Sequence, residues 1–145
     1  MAKFKSYTLV FVQFLSIGLI LITGPVLPAN IFLLLIEISG AALGIWAILS
    51  MGIGKFNIIP DPKEDSKLHT RGPYSLIRHP MYLALLLFTL PLVISDFTWW
   101  RGLFWLVLFI DLILKLNYEE ALLEDKLDGY KEYKQVSYRL IPFIY

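Results

Sequence analysis

Residues 31–51 read IFLLLIEISGAALGIWAILSM, and their reading decides the fold. The stretch carries one charge, Glu37, in a run long enough to cross a bilayer core, which needs about 20 apolar residues with about 17 as the lower limit. Working outward, residues 7–22 and 80–95 carry no charge. Residues 99–116 carry only Arg101, Asp111 and Lys115, all toward the ends. The first span reaches crossing length if it extends through Gly24 and Pro25, and the third is short and contains Pro91, so a thin or kinked span is expected there. A soluble chain of 145 residues would lack the polar surface to cover four such stretches. The sequence therefore predicts an all-α, polytopic membrane bundle of four transmembrane helices forming one domain over residues 1–145.

Composition agrees. Apolar residues make up 57% of the chain and charged residues 17%, against roughly 45–50% and 25% in ordinary soluble domains. That balance excludes a disordered chain. With no cysteine, a disulfide framework, a thiolate metal site and a cysteine nucleophile are excluded. The net charge of +1 supplies no global basic field, so nucleic acid is not an expected partner. His69 and His79 are ten residues apart without a third ligand nearby, so no metal is expected either. Gly52-Ile53-Gly54-Lys55 lacks the third glycine of a dinucleotide fingerprint and follows an apolar span, not a strand.

Lys and Arg set the orientation. Lys3, Lys5, five residues between Gly52 and His79, and five from Lys115 onward fall on one side, and Arg101 alone on the other. Both termini and the segment linking spans two and three are thus expected in the cytoplasm, in an inner or plasma membrane. Trp99, Trp100 and Trp105 mark the opposite end of span four, where an aromatic belt is expected. The first span has a basic start, but Leu27-Pro28-Ala29 is a poor cleavage site, so a retained helix is expected over a signal peptide. Asp61 to Ser66 reads as a polar loop. Tyr118 to Tyr133 reads as an amphipathic helix that continues span four, with Leu122, Leu123, Leu127 and Tyr130 on its apolar stripe.

Chemistry-bearing residues collect in two places. One is the junction Arg71-Gly72-Pro73-Tyr74-Ser75-Leu76-Ile77-Arg78-His79-Pro80-Met81-Tyr82. Pro80 suits the first position of a helix, where its missing N–H costs nothing, which makes His79 the N-cap. A helix start offers free N–H groups and partial positive charge to an anion. The other is the inner foot of span four, where Asp111, Lys115 and Glu119 recur at i, i+4 and i+8 on one face. Asp111 lies about 6 Å deeper than Lys115 at 1.5 Å per residue. An ionisable group inside a span is costly and faces a cavity or a partner. The bland reading is a self-satisfied ladder, with both acids pairing with Lys115. Glu37 is a second intramembrane acid, either functional or bonded to its neighbours. Together these features describe a pocket at the cytoplasmic membrane face, with a helix start for an anion, acids for a cation, and tyrosines for stacking or cation–π contact.

Arg78-His79-Pro80-Met81-Tyr82, preceded by Gly72-Pro73-Tyr74 and followed by Glu119-Glu120, Leu123, Tyr130, Tyr133, Arg139 and Ile141-Pro142, resembles the isoprenylcysteine carboxyl methyltransferase family. It is also similar to the wider phospholipid-methyltransferase group of integral membrane methyltransferases. The likeness runs from about residue 54 to 142. It implies an enzyme that uses S-adenosylmethionine without a Rossmann domain and acts on a lipid or isoprenoid-like substrate bearing a carboxylate or an amine. The residues it assigns to the cofactor are Ser66, Lys67, Leu68, His69, Tyr74, His79, Pro80, Met81, Tyr82 and Glu119, with Asp61 a weaker match. Lys115 stands where the animal enzymes place an arginine against the prenylcysteine substrate, and lysine cannot form the bidentate fork. A carboxylate acceptor would need only a cation, Lys115 or Arg78, to hold it. An amine acceptor would need a proton taken by Asp111, Glu37 or His79. Lys115, Arg78 and Asp111 are therefore the catalytic candidates. Two other functions fit parts of the pattern: a non-catalytic membrane subunit or small transporter that retains the fold, and a nicotinamide-dependent reductase relative.

Overall fold

The computed structural model describes residues 2–52, 59–60 and 68–145, with side chains from Phe4 onward. Of the positions singled out above, Ile53, Gly54, Lys55, the loop from Asp61 to Ser66, and Lys67 lie outside the described residues. The elements in chain order are α1 (Ala2–Ile22), α2 (Ile31–Met51), a 3₁₀ turn (Gly72–Ser75), α3 (Pro80–Ser95), α4 (Trp99–Lys126) and α5 (Tyr130–Val136). The described residues contain no strand, only a single parallel bridge between Ile77 and Tyr138. The fold is all-helical, and α1 and α2 are each long and apolar enough to cross a membrane. The third apolar helix, α3, is 16 residues long with Pro91 inside it. Three charges interrupt the apolar part of α4 before Asn117: Arg101, Asp111 and Lys115.

The caps follow from the sequence. Asn30 opens α2, its Oδ1 accepting from the Phe32 and Leu33 amides at 2.9 and 3.4 Å. His79 caps α3 with Pro80 at the first helical position, as its missing N–H favours. The helix expected to run on to Tyr133 instead breaks at Leu127–Gly129. Gly129 takes φ 81°, a left-handed conformation that glycine adopts without steric cost, and the chain restarts as α5. The apolar face of α5, Tyr130 and Tyr133, is buried against protein.

Polarity inside the bundle is inverted relative to a soluble protein. One face of α1, Ser6, Leu9, Gln13, Ser16 and Ile20, is buried and packs on α4, while Phe4, Tyr7, Phe11 and Phe14 point outward. Along α4, Arg101, Asp111 and Lys115 are buried, while Leu103, Leu106, Val107, Ile110 and Leu114 are not. An apolar core still runs through the bundle, with Ile20, Leu86, Leu92, Leu108, Leu112 and Leu116 in one cluster.

At the end away from the junction, Arg101 is fully buried. It donates to Asp96 Oδ2 at 3.0 Å, to the Leu92 carbonyl at 2.9 Å and to the Ile20 carbonyl at 3.4 Å. One guanidinium thereby satisfies carbonyls near the C-terminal ends of α1 and α3, where a cation is favoured.

The α2–α3 contact is the most intimate in the bundle. A Cβ on Gly40 would fall 2.6 Å from the Phe88 amide nitrogen and 2.9 Å from the Ala84 carbonyl oxygen, and one on Gly44 would meet the Ala84 methyl at 3.4 Å. With Gly40, Gly44 and the fully buried Ala47, α2 presents a small-residue stripe that lets the backbones touch. Gly40→Val is therefore expected to push the helices apart and cost about 1–3 kcal/mol, as overpacking does. Thermal unfolding in detergent checks this, and an unchanged midpoint would mean that the close approach carries no stability.

Candidate functional site

The junction after the 3₁₀ turn is held from outside its own helix. The Arg78 and His79 amides donate to the Tyr138 and Arg139 carbonyls at 2.8 and 3.1 Å, and the Tyr138 amide donates to the Leu76 carbonyl at 2.9 Å. The segment after α5 thus runs alongside the start of α3. This fixes the backbone on which His79 sits.

His79 is buried, and its imidazole stacks on the Tyr82 ring, 5.2 Å between centroids at 6°. Its Nδ1 is 3.8 Å from Glu119 Oε2. Its Nε2 is 3.4 Å from Glu120 Oε1, without the alignment of a hydrogen bond. Tyr82 donates its hydroxyl to Glu119 Oε2 at 2.5 Å. The two places where polar residues collect in the sequence therefore meet, with His79 at the cap of α3 and Tyr82 in its first turn against Glu119 and Glu120 from α4. Pro80 is buried beneath them and Met81 is half-buried.

The two acids have different surroundings. Glu119 has a side chain 26% exposed, facing out of the bundle's foot. Glu120 is buried and sits between two arginines. Arg78 Nε donates to its Oε1 at 2.7 Å, while Arg139 Nε and Nη2 reach its Oε2 at 3.0 and 2.9 Å. Burial alone would raise its pKa, but His79, Arg78 and Arg139 outweigh that and hold it down at about 2. Arg78 is committed further, donating to the Lys134 and Ser137 carbonyls and to Ser137 Oγ. Arg139 also donates to Asn117 Oδ1 at 2.7 Å and to the Tyr145 hydroxyl at 2.6 Å.

A layer of tyrosines lies below. Tyr133 donates its hydroxyl to the Tyr74 carbonyl at 2.5 Å. Burial pushes the Tyr133 phenol up to about 12, and raises those of Tyr74 and Tyr130 as well, with the Glu119 carboxylate adding to the Tyr74 shift. All three therefore remain protonated donors at neutral pH, and the Tyr130 hydroxyl is buried without a hydrogen-bond partner.

Deeper in the bundle, Lys115 is 1% exposed and donates to Gln13 Oε1 at 2.7 Å, with its Nζ 5.4 Å from the Tyr82 ring centroid. Asp111 is 4% exposed, and its Oδ2 has no hydrogen-bond partner. Among the described residues no ion pair joins Lys115 to Asp111 or Glu119, so the ladder is not self-satisfied. Glu37 is also buried with one oxygen unpartnered, on α2. Nothing among the described residues bonds it to this group.

Leu68 and His69 are half-buried. Leu68 lines an open groove of about 460 Å³ with Thr70, Ser75, Gly129, Glu132, Tyr133 and Val136. The groove touches the tyrosine layer and lies beside, not at, the His79–Glu119 pair. Among the described residues no three His, Asp or Glu side chains converge as a metal would require.

Two contributors escaped the sequence reading. Gln13 is the clearer: an amide alone in an apolar span is a signal that it faces a buried partner. Glu120 is the other, since nothing in the Glu119-Glu120 pair tells which acid turns inward to the arginines.

A model of the phospholipid methyltransferase family matches residues 31–128. No curated protein and no solved structure gives a match. The matched stretch runs from the first residue of α2 to just past α4 and contains His79, Tyr82, Asp111, Lys115, Glu119 and Glu120, with α1 and α5 outside it. Since that is two thirds of the sequence, and it encloses the whole α3–α4 polar foot, the chain belongs to the phospholipid methyltransferase family of membrane methyltransferases.

Proposed function

We propose that the protein transfers a methyl group from S-adenosylmethionine to a lipid acceptor at the cytoplasmic face of the membrane, with α1 to α4 all crossing the bilayer. The observation that carries this reading is the convergence of His79, Tyr82 and Glu119, with 3.8 Å between the His79 and Glu119 polar atoms. When bound, the cofactor supplies a methyl carbon activated by positive sulfur: an acceptor lone pair forms the new bond as the carbon–sulfur pair withdraws onto sulfur. Catalysis then depends on positioning and on excluding water.

The residues fit such a cofactor. Glu119 is a carboxylate open on one side, held by the Tyr82 hydroxyl and suited to an ammonium or to ribose hydroxyls. His79 Nε2 and the Tyr130 hydroxyl are buried polar atoms with bonding capacity to spare. With Tyr74, Pro80, Met81, Leu68 and His69 these form the binding set. Lys115 and Asp111 follow on the same face of α4. Asp111 is eight residues from Glu119, about 12 Å along the helix. That line, from cytoplasmic foot into the bilayer, suits a lipid whose reactive group lies near Lys115 and Asp111. The unpartnered Asp111 Oδ2 favours an amine acceptor, whose ammonium it would attract and whose proton it would take. Arg78, spoken for by Glu120 and by carbonyls, is a positioning residue.

The outward apolar faces of α1, α2 and α4 support four crossings, because exposed rows such as Leu103, Leu106 and Ile110 suit lipid and not water. The charges in the apolar part of α4, Arg101, Asp111 and Lys115, are buried inside the bundle.

Calorimetric titration of detergent-purified protein with S-adenosylhomocysteine tests the reading. Saturable one-to-one binding is expected. A sample that melts cooperatively yet takes up none would end it.

A further inference from the structure

We propose that the turn Ile141–Tyr145 is a membrane foot that seats in the headgroup–acyl boundary of the cytoplasmic leaflet and holds the His79 junction at that depth. The proposal rests on the reading that α4 crosses the bilayer.

Phe143 and Ile144 are each 79% exposed, and Ile141 in the same turn is exposed too. In water this patch is unfavourable, at roughly 25 cal/mol per Å² of apolar surface. Part of its backbone is paired within the turn. The Leu140 and Ile141 amides donate to the Tyr145 carbonyl at 2.8 and 2.9 Å, and the Ile144 and Tyr145 amides to the Ile141 carbonyl at 3.2 and 3.0 Å. That pairing lowers the cost of bringing a non-helical turn to the edge of an apolar layer, where the remaining groups still reach headgroup water. Phe143 holds φ 65°, a conformation uncommon for a bulky side chain. The strain persists in a turn whose hydrogen bonds leave two large apolar side chains facing out.

The depth is fixed by contacts to the bundle. Arg139 bonds to Asn117, the first residue after the apolar stretch of α4. Leu140 is 2% exposed and belongs to the same apolar cluster as Leu112 and Leu116. The exposed turn therefore begins one residue after a side chain plugged into the bundle's inner end, so its patch continues the lipid-facing row of α4 at the interface. The same segment supplies the carbonyls that hold the Arg78 and His79 amides. Seating the foot would set the height of the site against the lipid headgroups.

The absence of native cysteine makes the test direct. Phe143→Cys, Ile144→Cys, Lys131→Cys and Leu106→Cys each take a nitroxide label, and the proteins are reconstituted in phosphatidylcholine–phosphatidylglycerol vesicles. Collisions with oxygen, enriched in the bilayer, are compared with collisions with a water-soluble nickel chelate. The oxygen-to-nickel ratio at 143 and 144 is expected to be several-fold above that at Lys131, a 71% exposed side chain, and below that at Leu106. Ratios at 143 and 144 equal to that at 131, with 106 still oxygen-rich, would overturn the foot and leave the crossing intact. Nickel access at 106 would overturn the crossing and the foot together. Positions 143 and 144 are both far from the core, so either label alone reports.

Discussion

Glu120→Ala is expected to be the most destabilising single substitution at the junction end of the bundle, costing about 3–5 kcal/mol. The reason is what it leaves behind. Arg78 and Arg139 would lose the carboxylate that both contact at 2.7–3.0 Å, and Arg78 is nearly as buried as the acid itself. Removing one partner of a buried ion pair strands the other charge, which costs far more than the intact pair contributes. The segment after α5 should then detach from the start of α3, since Arg78 and Arg139 link the two. The check is a detergent melt of the variant against the parent, and a shift below about 1 kcal/mol would mean that the arginines find other partners. Acid provides a second readout. The folded-state pKa of about 2 lies below the ordinary 4.5, so the carboxylate's contribution is fully present above about pH 5 and is lost as pH falls through 4.5 toward 2. A gap of that size corresponds to about 3 kcal/mol. Stability of the parent should therefore fall over this window more steeply than that of Glu120→Gln, which cannot titrate. Parallel curves would show that other groups govern the acid transition.

Glu119→Ala should do the reverse, leaving the fold and removing the ligand. Its carboxylate is a quarter exposed, accepts one hydrogen bond from Tyr82, and has His79 at a distance. The melting midpoint is expected to stay close to that of the parent. A charge-assisted hydrogen bond is worth about 1.5–3 kcal/mol, so affinity for S-adenosylhomocysteine should drop roughly 10- to 150-fold. Tyr82→Phe, which only frees the carboxylate to rotate, should lose less. Neighbouring acids with opposite phenotypes, one in stability and one in binding, are the signature expected of this foot. If Glu119→Ala binds as the parent does, the acid that faces the ligand has been misassigned.

The sequence carried much of this unaided. The apolar runs place α1 to α4 because burying or lipid-covering about 20 apolar residues leaves a helix few alternatives. Pro80 placed the start of α3, and with it His79 at the cap, because proline tolerates only that part of a helix. The i, i+4, i+8 spacing put Asp111, Lys115 and Glu119 on one face, since helical periodicity is local geometry. Local rules also failed at a definite point. The amphipathic pattern from Tyr118 to Tyr133 is continuous, yet the helix stops at an extended Leu127, the chain restarts after a left-handed Gly129, and Tyr133 reaches the Tyr74 carbonyl.

Periodicity thus determined which side chains share a face, and composition determined the solvent those faces meet. Only the tertiary structure decided which partner each polar group takes. Lys115 lies one turn from Asp111 and one turn from Glu119, yet it bonds to Gln13, 102 residues away on α1. Glu120, adjacent to Glu119, is enclosed by arginines 42 and 19 residues distant. The physical reason is that helix geometry repeats every few residues and is written locally, whereas a buried charge is settled by whatever polar or charged partner a distant segment brings within about 3 Å. No spacing within a single segment encodes that choice.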